Sequence, residues 1–155
     1  MSPVGGGEPP QGHGDAEVLE AELVQIAKDA RRTFDVVLAQ SLGHQRTAGT
    51  CLYAAVLCSL LINRFTAGRA SVRGGDGQGD GGLFVDGTGH GHYWVEVETG
   101  ADSLVVDITG DQFGLPPVTV APLSALPAKY LPGNQSLVDG HAAQLLMDIE
   151  AEQRG

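Results

Sequence analysis

The chain has little positive charge. Nine Lys and Arg residues stand against 19 Asp and Glu residues, which gives the 155 residues a formal net charge of -10. Binding to nucleic acid or to an anionic membrane surface requires a basic face on the protein. The charge balance therefore argues against both kinds of partner, and we expect the acidic excess to lie on a solvated surface.

Cysteines and long apolar segments are also scarce. Cys51 and Cys58 are the two cysteines, and no apolar run approaches the roughly 20 residues that a membrane-spanning helix needs. A helix that contains both thiols separates them by roughly 10 Å along its axis, which is beyond the reach of a disulfide. The first residues lack the charged and then apolar pattern of a secretory leader. We therefore expect a reduced, cytoplasmic protein.

The length favours a single domain with a tail at its N-terminal side. Residues 1–14 are rich in Gly, Pro and polar side chains and are predicted to be disordered, which leaves a domain over residues 15–153. From a cap at Asp15 to about residue 41, apolar residues recur at the spacing of an amphipathic helix. A further helix with a short apolar face is predicted over Asp139–Gln153.

A second helix carries the first candidate for chemistry. The run from Cys51 to Ile62 is almost wholly apolar, which is typical of a buried helix, and the turn-like residues before it place Cys51 in the first turn. The positive end of a helix favours the thiolate, which is the nucleophilic form of cysteine. Cys58 lies seven residues deeper on the same face and is predicted to be a packed core thiol.

Four strands are predicted after this helix, where β-branched and aromatic residues alternate between turn residues. They span Arg69–Arg73, Leu83–Asp86, His92–Glu98 and Ser103–Thr109.

Two segments in this part of the chain have unusual compositions. Residues 74–91 contain nine glycines and three aspartates, which favours a mobile loop, either a flap over the cleft or a surface insertion. Their single irregular Gly/Asp motif does not amount to a calcium-binding repeat. Residues 110–135 hold most of the prolines, which favours an extended path with turns.

The last two strands predict a pairing between His92 and Asp107. An antiparallel ladder about a turn centred on Thr99-Gly100 places Glu96 opposite Ser103 and His92 opposite Asp107 on one face of the sheet. Directly opposed side chains have Cβ atoms about 5 Å apart, which suits an imidazole to carboxylate hydrogen bond. A one-residue slip would break this pairing, because it would turn the aspartate to the other face.

These residues together predict a nucleophilic site. The thiolate of Cys51 attacks a carbonyl, His92 acts as general base and acid, and Asp107 holds the imidazole in the useful tautomer. Gln45 and the backbone N–H of Cys51 are the candidate donors to the developing oxyanion. Trp94 and Tyr53 are candidates for contacting the substrate in the cleft, or else core residues. This interpretation invokes no cofactor and no metal.

Other residues compete for two of these roles. His90 lies two residues before His92 and shares its face of a strand, and Asp102 or Asp111 could replace Asp107. His-Gly-His and the two cysteines also suggest a zinc site. Zinc ligands must converge to about 4 Å of one another, whereas two turns of helix separate the thiols, and this argues against the metal.

The ordered set of motifs resembles a known group. Gly49-Thr-Cys51 opening a hydrophobic helix, then His92-Tyr-Trp-Val-Glu-Val, then Val-Val-Asp107 is similar to the core of the transglutaminase-like group within the papain-like cysteine peptidase superfamily. The resemblance covers Gln45 to Gln112, and Tyr93 stands where a small residue usually follows the histidine.

This resemblance implies a fold and a class of activity. The fold is α+β, with an N-terminal helix and a buried helix that bears the nucleophile and packs on a small antiparallel sheet. The activity is that of a cysteine hydrolase, such as a thiol protease or deamidase, or of an acyltransferase. Its substrate is an amide or glutamine carboxamide of a peptide or protein. Some members of the group only bind, so a peptide-binding or assembly module is the alternative.

Overall fold

The computed structural model describes residues 11–38, 50–99 and 102–154, and in these ranges it has an α+β fold, as predicted. Within the described part of the chain, three α-helices pack on the larger of two antiparallel sheets. The helices are α1 (Gln11–Val37), α2 (Cys51–Phe65) and α3 (Gln135–Arg154). The strands are β1 (Arg69–Gly75), β2 (Gly82–Val85), β3 (Thr88–His90), β4 (His92–Glu98), β5 (Ser103–Asp107), β6 (Thr119–Pro122) and β7 (Lys129–Leu131).

Strand β4 lies between two hydrophobic cores. The larger sheet has the order β1-β4-β5-β6 and the smaller one the order β3-β2-β7. Val95 and Val97 of β4 belong to the core that the helices form with the larger sheet, whereas Trp94 belongs to a second core together with Leu83 and Tyr130 of the smaller sheet. Because side chains alternate along a strand, His92 lies on the same face as Trp94, turned away from the helices.

The helices differ from the prediction at their starts. α2 begins at Cys51 as predicted, but α1 begins at Gln11, so the predicted cap at Asp15 is wrong and the predicted tail loses its last four residues to the helix. Residues 1–10 lie outside the described residues. α3 begins at Gln135 because the side chain of Asn134 caps it and accepts the N–H of Ser136 at 3.0 Å. Of the helices described, none has the length and hydropathy to cross a membrane.

The register of β4 and β5 differs from the prediction by two residues. Ser103 pairs with Glu98 and Val105 with Glu96, so the direct opposition of His92 and Asp107 is wrong. The observed pairs centre the connection one residue later in the chain than predicted, and beside it the hydroxyl of Thr99 accepts the N–H of Asp102. An even shift keeps every side chain on its face. His92 and Asp107 therefore share a face as diagonal neighbours.

The glycine-rich segment 74–91 contains a β-hairpin, in which β2 confirms the strand predicted over Leu83–Asp86 and β3 was not predicted. Strands β2 and β3 pair about the turn Asp86-Gly87, whose φ values of 50° and 80° are those of a two-residue hairpin turn. The turn before β2 is closed by Asp76, whose Oδ1 accepts the N–H groups of Gln78 at 2.8 Å and Asp80 at 3.0 Å. These bonds to Gln78 and Asp80 lower the pKa of Asp76. The mobility of the segment stays a prediction.

The proline-rich segment 110–135 also contains regular elements, contrary to the prediction. β6 pairs with β5 at the edge of the larger sheet, and β7 pairs with β2 in the smaller sheet. Pro122 has no N–H, and it fits β6 because one side of this edge strand has no neighbouring strand that would need a donor. The consequence for the site is that β7 brings Tyr130 into the second core.

Candidate active site

The two cysteines have different environments on α2. Cys51 is the first residue of the helix and is half-buried, at the end where N–H groups have no partner within a helix. Cys58 is 1% exposed, and burial, together with the charge of Asp107, raises the pKa of its thiol to about 12. Both thiols are free. Cys51 is therefore the accessible thiol, and Cys58 is the core residue that was predicted.

His92 and Asp107 form a buried hydrogen-bonded pair. His92 is the first residue of β4, Asp107 is the last residue of β5, and each is 1% exposed. The start of β4 and the end of β5 lie at the same end of the sheet because the two strands run antiparallel. Nε2 of His92 lies 2.9 Å from Oδ2 of Asp107. A carboxylate only accepts hydrogen bonds, so Nε2 carries the proton in this bond.

His92 also interacts with the side chain of Cys51. Burial by itself lowers the pKa of His92, but the hydrogen bond with Asp107 and the interactions with the charges of Asp107 and Cys51 outweigh burial and raise it to about 9. Nε2 is occupied by Asp107, and the buried Nδ1 has no partner at full hydrogen-bond geometry among the described residues. Nδ1 is therefore the ring atom that is free to exchange a proton with a thiol.

Cys51 and His92 come from elements on different sides of the sheet. α2 packs on the face that carries Val95 and Val97, whereas His92 lies on the face of Trp94. Cys51 and His92 are each the first residue of their element. Any contact between the thiol and the imidazole therefore depends on where α2 and β4 begin.

Two further groups bind the carboxylate of Asp107. The backbone N–H of Thr109 donates to Oδ1 at 3.0 Å, and the hydroxyl of Tyr130 donates to Oδ2 at 2.8 Å. Sequence reasoning identified neither as a site residue. The Asp-Ile-Thr sequence signals the first contact, since an aspartate often accepts the N–H two residues later. No local signal indicates Tyr130, because pairing of β2 with β7 places it there.

Aromatic rings enclose the imidazole. Trp94 lies nearly parallel to His92 at a centroid distance of 6.2 Å, and Phe113 contacts it edge-on at 5.0 Å. Trp94 is 1% exposed and so has the core placement that was the alternative to substrate contact. Tyr53 packs towards α1, with its ring 6.3 Å from Phe34. The substrate-binding roles of Trp94 and Tyr53 stay predictions.

The competing candidates contact other groups. His90 lies on β3 with its ring 4.6 Å from that of Phe113. Asp102 accepts the hydroxyl of Ser124 at 2.9 Å, and Asp111 forms an ion pair with Arg31 at 2.8 Å. Gln45 lies outside the described residues. Among the described ones, no three His, Cys, Asp or Glu side chains gather as a metal site would require.

A cavity of about 200 Å³ borders the site on the helix side of the sheet. Gly74 and Gly75 form part of its wall, and they pair with Tyr93 and His92 in the ladder between β1 and β4. A Cβ atom on Gly74 would lie 2.7 Å from the ring of Tyr93, so glycine is required there. The hydroxyl of Tyr93 lies 2.6 Å from Nδ1 of His141 on α3.

Tyr93 lines this cavity, and burial first and then the charge of Cys51 raise the pKa of Tyr93.

Comparison with known proteins adds no relative, since no family model, curated protein or solved structure matches this chain.

Proposed function

We propose that this protein is a cysteine-dependent amide hydrolase or acyltransferase with a papain-like or transglutaminase-like core. The observation that carries the proposal is the position of His92, which is bonded to Asp107 through Nε2 at 2.9 Å and interacts with the thiol of Cys51. A nucleophile, a base in contact with it and a third group that orients the base make up a nucleophilic triad.

The reaction consists of two acyl transfers. Nδ1 of His92 already holds the thiol proton when the thiolate sulfur of Cys51 bonds to the carbonyl carbon and the carbonyl electron pair moves to oxygen. When the C=O bond re-forms, the C–N bond breaks and Nδ1 gives its proton to the leaving nitrogen. Water or an amine then attacks the thioester and gives a proton to Nδ1, and the sulfur departs as the thiolate beside the protonated ring. The backbone N–H of Cys51 is suited to stabilise the oxyanion, since it lies at the start of α2.

The electrostatics of His92 support the first transfer. Its pKa is raised to about 9, so the ring is protonated at neutral pH and stabilises a thiolate beside it. The same proton is then available for the leaving amine. The acyl or amine part of a peptide or protein substrate would occupy the cavity bordered by Gly74, Gly75 and Tyr93.

Alkylation by iodoacetamide followed by mass spectrometry tests the proposal. We expect Cys51 to react at least about a hundredfold faster than Cys58, because the thiolate is the reactive form and Cys58 is buried with a pKa of about 12. His92→Gln should slow the labelling of Cys51 about tenfold or more, whereas the control His90→Gln should leave it unchanged. Mass spectrometry of Cys51 with candidate peptides should then detect a thioester.

Equal and slow labelling of both thiols would reject the proposal. The protein would then fit the peptide-binding module, in which Cys51→Ala leaves ligand binding intact.

A further inference from the structure

Tyr130 occupies a position that neither the triad nor the packing of the second core requires. Its side chain is 2% exposed, and its hydroxyl donates to Oδ2 of Asp107 at 2.8 Å. The same oxygen accepts Nε2 of His92 at 2.9 Å. A phenylalanine would pack equally well against Trp94, whose ring meets that of Tyr130 at 5.2 Å. Packing alone therefore does not account for the hydroxyl, whereas its bond to Oδ2 of Asp107, the oxygen that also binds His92, does.

The smaller sheet positions the hydroxyl of Tyr130 at the site. Tyr130 pairs with Leu83 in the ladder between β7 and β2, and both belong to the second core. Burial first, and then the charge of Asp107 and the hydrogen bond to it, raise the pKa of Tyr130 well above its ordinary value. The hydroxyl therefore keeps its proton at physiological pH and acts as a donor.

We propose that Tyr130 is a positioning residue of the active site, whose hydroxyl shares Oδ2 of Asp107 with His92 and so sets how strongly the carboxylate holds the imidazolium proton. The effect of this role on catalysis rests on the proposed function. A carboxylate oxygen that accepts two donors offers less negative charge to each of them. The imidazolium then releases its proton more readily to the leaving amine, as an efficient general acid requires.

The surroundings of the pair make this effect measurable. The titratable groups near His92 and Asp107 are Cys51 and Cys58 of α2 and Tyr130 of β7, with His90 beyond the ring of Phe113. Trp94 and Phe113 cover the imidazole with apolar surface. Water screens interactions weakly in such a site, so the loss of one donor has a large effect on the other.

The test is the pKa of His92 in Tyr130→Phe, followed by NMR of the labelled imidazole in the full chain. We expect it to rise above the wild-type value by roughly half a pH unit or more, because the whole carboxylate charge then acts on the imidazolium. Tyr53→Phe is the matched control, since Tyr53 packs on Phe34 away from the pair, and it should leave the pKa of His92 unchanged. An unchanged or lowered value in Tyr130→Phe would overturn the inference.

A second substitution keeps the test decisive if Tyr130→Phe fails to fold. Replacing Tyr130 by 3-fluorotyrosine retains the ring and makes the hydroxyl a stronger donor, so the pKa of His92 should fall, and a rise would contradict the inference. Neither measurement requires catalytic turnover. If the pKa of His92 shifts as expected while Cys51 proves unreactive, the proposed function alone is rejected. If the pKa does not shift while Cys51 reacts rapidly, the role of Tyr130 alone is rejected.

Discussion

At the scale of single residues, the site depends on a charge balance inside the protein. His92 and Asp107 are both 1% exposed, and an isolated charge at such depth would be costly. Each group lowers this cost for the other, and Thr109 and Tyr130 bind the carboxylate oxygens further. Removing one partner of a buried charged pair leaves the charge of the remaining partner uncompensated. The protonation of His92 is therefore coupled to folding.

This coupling predicts how stability depends on pH. The pKa of His92 is about 9 in the folded protein and 6.5 ordinarily, so folding binds a proton between these values. The pair's contribution, about 3 kcal/mol at most, is fully present below pH 6.5 and is lost as the pH rises through 9. Urea denaturation at several pH values should show the free energy of unfolding declining over this window. The decline should vanish in Asp107→Asn and persist in the control Asp111→Asn. A wild-type profile that is flat from pH 6.5 to 9 would contradict the assignment.

At the scale of elements, the sequence predicts what local pattern determines. β4 has the predicted bounds, because its aromatic and β-branched residues alternate with polar ones, and α2 begins at Cys51 as its apolar run indicates. β7 has only three residues and follows several prolines, so no alternation can reveal it. It exists because β2 offers a partner, which is a contact between distant parts of the chain.

The same distinction applies to the site. Residue type and order predict Cys51, His92 and Asp107; the structure pairs His92 with Asp107 at 2.9 Å, and Cys51 is among the groups that raise the pKa of His92. The register was missed because turn length decides it, although an even error preserved the face. Tyr130 could not be predicted, since its contact with Asp107 arises from the stacking of one sheet on the other.

The hairpin beside β7 offers a test at this scale. Gly87 has a φ of 80° and no atom near the position of a Cβ, so Gly87→Ala suffers from backbone strain alone. We expect it to destabilise the protein by about 1 kcal/mol. Gly79→Ala is the matched control, because that position is equally open and lacks a positive φ. Thermal unfolding should show a lower melting temperature for Gly87→Ala only. Equal melting temperatures would mean that the hairpin turn is not formed as described.

At the scale of the whole molecule, the acidic character of the chain extends to the cavity lined by Gly74, Gly75 and Tyr93. Asp76 and Asp80 lie in its wall, and none of the described residues that line it is Lys or Arg. Hydrogen bonds from the backbone lower the pKa of Asp76 and so keep it charged at neutral pH. A cavity with one sign of charge attracts ligands of the opposite sign. The substrate group that enters it should therefore be cationic.

Reactive probes that differ in one side chain test this preference at Cys51. Chloroacetyl derivatives of lysine amide, norleucine amide and glutamate amide carry the same electrophile, and we expect the lysine probe to react about tenfold faster than the norleucine probe and the glutamate probe slowest. Asp76→Asn with Asp80→Asn should remove the preference, since asparagine keeps the oxygen that accepts the bonds of the turn and loses the charge. The control pair Glu150→Gln and Glu152→Gln removes two charges from exposed positions of α3 outside the cavity and should retain the preference. A preference that depends only on net charge would disappear equally in both double variants, and the cavity would then have no part in selecting the substrate.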